Sequence, residues 1–149
     1  MARTKARPDP TPLDVAAGML RRAPMSEAEL EAKLVAKGYQ PSTAAGVVAR
    51  CCELGWLNDE VFAHDRARAL RQRGAGSLKI TADLEGRQLS GVLVQRAVSA
   101  SLDGVPERTW AERALAASEC AADSARAWRL LSSRGFPEDV VADLIDMGD

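Results

Sequence analysis

The chain has 149 residues, 46% of them hydrophobic but only 4% aromatic, and a net charge of −1. That is enough apolar material for one compact domain or a short array of small ones. No stretch approaches the roughly 20 apolar residues of a membrane span, and the N-terminus lacks the apolar core of a secretory signal, so a cytoplasmic protein is expected. The three cysteines, Cys51, Cys52 and Cys120, have no CxxC spacing, and His64 is the only histidine. Reduced thiols and no metal site are therefore expected.

Residues 1–11 carry Arg3, Lys5 and Arg7 with Pro8 and Pro10 and little to bury, which predicts a disordered basic tail. Pro12 suits the first turn of a helix carrying Leu13, Ala16, Ala17 and Leu20. Ser26 with Glu29 three residues on is a capping-box pattern for a second helix with Leu30 and Leu34 inward, stopped by Gly38. A third helix from about Ser42 turns Ala44, Val48 and Cys51 inward and ends at Gly55. Trp56 and Leu57 follow, and the corner they form is expected to be pinned by a buried Trp56 indole. A fourth helix spans about Glu60 to Arg73, and after Gly74-Ala75-Gly76 the spacing predicts a fifth, capped by Ser77, with Ile80 and Leu84 inward. Gly86 is read as interior to this helix, at a cost of about 1 kcal/mol relative to Ala.

The pattern then repeats. At an offset of about 50 residues Leu30 falls on Ile80, Leu34 on Leu84, Tyr39 on Leu89 and Val48 on Val98; at about 97, Gly38-Tyr39 falls on Gly135-Phe136. The fold expected is all-α, an elongated array of three tandem three-helix repeats at 12–57, 58–104 and 105–149.

Charge is segregated along the chain. Residues 64–96 carry Arg66, Arg68, Arg71, Arg73, Lys79, Arg87 and Arg96 against Asp65, Asp83 and Glu85, a net of +4, whereas the chain from Asp103 onward is net −5. A basic block of this kind suits a phosphate backbone or an acidic protein surface. Gly74-Ala75-Gly76-Ser77-x-Lys79 invites a phosphate-loop reading but lacks the Walker spacing, and a helix-start turn is the simpler account. Catalysis finds no support, because His64 beside Asp65 has no nucleophile to activate.

Four stretches carry a resemblance. Ser26-x-x-Glu29-Leu30-x-x-Lys33-Leu34-x-x-Lys37-Gly38-Tyr39, Cys52-Glu53-Leu54-Gly55-Trp56-Leu57-Asn58-Asp59-Glu60-x-Phe62-Ala63, Gly76-x-x-Lys79-Ile80-x-x-Asp83-Leu84 and Arg134-Gly135-Phe136 together resemble the RecX family, bacterial modulators of the RecA recombinase, over roughly Leu13 to Met147. The resemblance implies a monomeric, non-enzymatic regulator without cofactors that lies along the RecA nucleoprotein filament and limits its ATPase, recombinase and coprotease activities, in DNA repair and the SOS response. Single- or double-stranded DNA is a second candidate partner. Arg66, Arg68, Arg71, Arg73, Lys79 and Arg87 are the expected contact residues, with Arg68, Arg71 and Lys79 sharing one exposed surface. Two alternatives stay open on the residues alone: a helical protein binding nucleic acid by itself through its basic middle, and a helical scaffold for an unrelated partner.

Overall fold

A computed structural model describes residues 8–146; the expected tail falls mostly on residues 1–7, outside that range. Nine helices and no strand occur among the described residues: α1 (Pro12–Arg22), α2 (Glu27–Ala36), α3 (Pro41–Glu53), α4 (Asp59–Gln72), α5 (Ser77–Gly86), α6 (Gly91–Ser101), α7 (Glu107–Ala116), α8 (Ser124–Ser133) and α9 (Glu138–Asp146). The all-α reading therefore holds. The chain divides between Asn58 and Asp59 into two compact units.

The first unit is α1 to α3. Pro12 stands in the first turn of α1, and Thr11 and Asp14 satisfy each other's backbone N–H groups. The Ser26 hydroxyl accepts from Glu29 N at 3.1 Å while Glu29 Oε1 accepts from Ser26 N at 3.1 Å. This is the reciprocal cap that the sequence spacing called for. Ala16, Met25, Leu30, Leu34, Ala44, Val48, Cys51 and Leu57 form its buried core. One expectation fails here. The Trp56 indole is 47% exposed, whereas Leu57 is 4% exposed. The turn after α3 offers one inward position, and the smaller aliphatic side chain takes it.

The second unit holds two three-helix blocks, α4 to α6 and α7 to α9, each with its own core. The first buries Ala63, Ala67, Ile80, Leu84, Leu89, Val94 and Ala97, and the second Ala111, Leu131, Phe136 and Val141. Gly86 is the last residue of α5, not an interior one, so the helix avoids the expected mid-helix penalty. The left-handed residue after α5 is Gln88, with φ of 59°, where α2 and α8 are followed by Gly38 and Gly135 at φ of 113° and 88°. Nor does the Ser77 side chain cap α5: the N-cap is Gly76, and Ser77 is the first helical residue.

Candidate partner-binding site

The three arginines of α4 meet three different environments, set by helical phase. Ala63, Ala67 and Arg71 recur at i, i+4 and i+8 and share the buried face. Arg68 lies off that stripe and is exposed, as are Arg73 beyond the helix end and Lys79 in the first turn of α5. The expectation that Arg68, Arg71 and Lys79 form one exposed surface is thus corrected at Arg71, which is 1% exposed.

Arg71 is instead the centre of a polar cluster. Its Nη1 donates to Glu107 Oε1 at 3.2 Å, its Nη2 to Ser77 Oγ at 2.8 Å and its Nε to Ser101 Oγ at 3.1 Å. Burial pulls the guanidinium pKa below its ordinary value, and the Glu107 carboxylate works in the opposite direction. Glu107 also accepts from Ser77 N at 2.7 Å and from Ser77 Oγ at 2.8 Å. Among the described residues no buried side-chain polar atom lacks a partner. A buried cation is tolerable when its donors and its charge are both met.

The same contacts remove the phosphate-loop reading of Gly74 to Lys79. The N–H of Gly76 donates to Arg134 O at 2.7 Å and that of Leu78 to Gly135 O at 2.9 Å. With Ser77 N held by Glu107, the helix start that would receive a phosphate is already filled from within the protein.

Arg66 and Arg87 are neither buried nor fully exposed. Arg66 makes two bonds to the Asp83 carboxylate, Nε–Oδ1 at 3.1 Å and Nη2–Oδ2 at 3.0 Å, and Arg87 Nε reaches Asp83 Oδ1 at 3.1 Å. The Arg87 guanidinium also lies over the Phe62 ring, 5.6 Å from its centroid. The hydrogen bonds from Arg66 hold the Asp83 carboxyl below the usual carboxylate range, with Arg87 adding to them and burial opposing. The six sequence-predicted residues therefore separate into an exposed set (Arg68, Arg73, Lys79), an ion-paired set around Asp83 (Arg66, Arg87), and Arg71 inside. Arg96 on α6 is exposed as well. Glu107 and Asp83 decide this division; the Arg71–Glu107 and Arg66–Asp83 pairs span 36 and 17 positions and leave no local signal in the sequence, whereas Arg87 follows Asp83 by four, a spacing visible there.

No group of three or more His, Cys, Asp or Glu side chains that could hold a metal ion occurs among the described residues, and none of their helices is long and apolar enough to cross a membrane.

Successive three-helix blocks with cores of their own define a class of all-helical modular proteins. Residues 13–51 match the family model for the first three-helix domain of RecX. The regulatory protein RecX of Stenotrophomonas maltophilia strain K279a is 31% identical over 147 residues, covering 92% of this chain and 87% of that protein. The regulatory protein RecX of Mannheimia succiniciproducens is 29% identical over 143 residues, covering 89% and 91%. The crystal structure of RecX from Lactobacillus salivarius matches the fold with a TM-score of 0.71 at 16% identity, over 91% of this chain and 93% of that one. The chain belongs to the RecX family of regulatory proteins.

Proposed function

We propose that this protein is a non-enzymatic regulator that binds RecA and its nucleoprotein filament and lowers the filament's ATPase, recombinase and coprotease activities. Family membership supports the partner. The observation that bears on the surface is the exposure of Arg68, Arg73 and Lys79 within residues 64–96, a segment of net charge +4. A nucleoprotein filament offers both acidic protein surface and phosphates, and exposed cations raise association rates far more than they raise stability. The protein acts as a monomer, in the cytoplasm, and without a cofactor.

The test is inhibition of RecA's DNA-dependent ATPase by the triple variant Arg68→Ala, Arg73→Ala, Lys79→Ala beside Asp139→Lys on α9, both at one salt concentration. The basic triple variant is expected to inhibit more weakly, with helicity and melting unchanged, and Asp139→Lys to inhibit like the parent. Equal inhibition by the triple variant and the parent would place the contact surface elsewhere. The competing reading, DNA binding without RecA, is separated by salt. Affinity resting on phosphate contacts falls linearly on a log–log plot, by about 0.9 per contact for duplex DNA.

A further inference from the structure

By its local sequence α5 starts poorly. Its counterpart α2 has Ser26 at the N-cap and Glu29 at the third position, and the two bond reciprocally. In α5 those positions hold Gly76 and Lys79. Glycine offers no side chain to receive an N–H, and a lysine in the first turn opposes the helix dipole. Yet the first three N–H groups are all satisfied, each by the α7 to α9 block, the third in chain order after α1 to α3 and α4 to α6: Gly76 by Arg134 O, Ser77 by Glu107 Oε1 and Leu78 by Gly135 O. The absent side chain is what admits these partners. A Cβ on Gly76 would clash with the backbone of Gly135 and Phe136, and a Cβ on Gly135 would clash with Lys79. Arg71, reaching from α4 to Glu107 and Ser77, fixes the carboxylate over the helix start.

We infer that the third block serves as the N-terminal cap of α5, so that the first turn of α5, which carries Lys79, is ordered only while Glu107 and the 134–136 turn are docked on it. The chain has exchanged a self-contained cap, such as α2 has, for one supplied from about 30 to 60 residues further on, as the separations of Ser77 from Glu107 and of Gly76 from Arg134 show. Docking of the third block and order at the start of α5 are consequently coupled, each favouring the other by the same factor. Lys79 presentation to RecA would then depend on the third block, an extension that rests on the proposed function; the coupling itself needs no RecA to be measured.

Amide hydrogen exchange on the full chain tests it. Glu107→Ala removes the acceptor of Arg71 Nη1, Ser77 N and Ser77 Oγ; it should speed exchange at residues 76–80 about tenfold or more, beyond any acceleration in the rest of 59–146, and leave 26–30 at the start of α2 unchanged. Glu112→Ala, on the same helix but paired at the surface with Arg108, should change neither. A second variant stands on its own should Glu107→Ala not fold. Gly76→Ser with Lys79→Glu gives α5 its own capping box while blocking the close approach, so residues 76–80 should stay protected while 134–136 lose protection. Unchanged exchange at 76–80 in Glu107→Ala, acceleration spread evenly over 59–146, or simultaneous loss at 76–80 and 134–136 in the double variant would each overturn the inference. None of these outcomes depends on RecA binding, so a failure of the proposed function leaves them intact.

Discussion

Replacing Arg71 by methionine removes the guanidinium and keeps most of the unbranched stem, which isolates the polar cluster from packing volume. The Arg71 side chain is 0% exposed and that of its partner Glu107 15% exposed. Breaking a buried ion pair by deleting one partner costs about 3 to 5 kcal/mol, because the survivor keeps its desolvation penalty. Here Glu107 retains both donors of Ser77 and some access to water, and Ser101 Oγ still donates to Val98 O. The lower end, about 3 kcal/mol, is therefore expected for Arg71→Met. Arg68→Met, three residues away and exposed, should cost less than about 0.5 kcal/mol. Urea unfolding followed by circular dichroism checks both; the Arg71 effect belongs to the transition of the second unit, with that of the first unit unmoved. Adding Glu107→Leu to Arg71→Met should not recover the loss, because it takes from the N–H and the hydroxyl of Ser77 the acceptor they share. If Arg71→Met lies within about 1 kcal/mol of the parent, or no further from it than Arg68→Met, the cluster does not hold the second unit together.

Gln88→Gly should stabilise the chain by about 1 kcal/mol, because the left-handed conformation strains a residue with a Cβ and the gain exceeds the extra freedom of an unfolded glycine; denaturant midpoints measure it. Leu57→Ala should cost about 2 to 5 kcal/mol and Trp56→Ala clearly less, and with Trp110 and Trp128 replaced the remaining indole should emit to the red and quench readily. Asp83, whose pKa is depressed by Arg66 and Arg87, contributes stability above its unfolded pKa that is lost as pH falls through the lower folded one. Melting between pH 7 and 3 should therefore fall less steeply in Asp83→Asn than in the parent, the difference appearing below about pH 4.

What sequence reading reached was set by range. Helix starts and stops that depend on three or four neighbouring residues, such as Ser26 with Glu29 or Gly38 and Gly135 in left-handed turns, could be read directly. So could the inward stripes of Leu30 and Leu34 and of Ile80 and Leu84. Arg68 and Arg71 lie at i, i+3 on one side of α4, but that spacing does not show which way Arg71 faces. Its position four residues after Ala67 and eight after Ala63 puts it on the apolar stripe, a signal available without a structure. Which carboxylate would meet it was not available, since Glu107 is brought there only by docking of the third block. Trp56 failed for a related reason: adjacent side chains in a turn point apart, and size alone does not decide which faces the core.

Co-sedimentation with preformed RecA filaments tests the central claim most directly. The parent chain should pellet with filaments and stay in solution with the same DNA alone at physiological salt, and the Arg68→Ala, Arg73→Ala, Lys79→Ala variant should pellet more weakly while melting like the parent. A chain that stays in solution with filaments, or pellets as fully with DNA alone, would contradict a RecA-directed regulator.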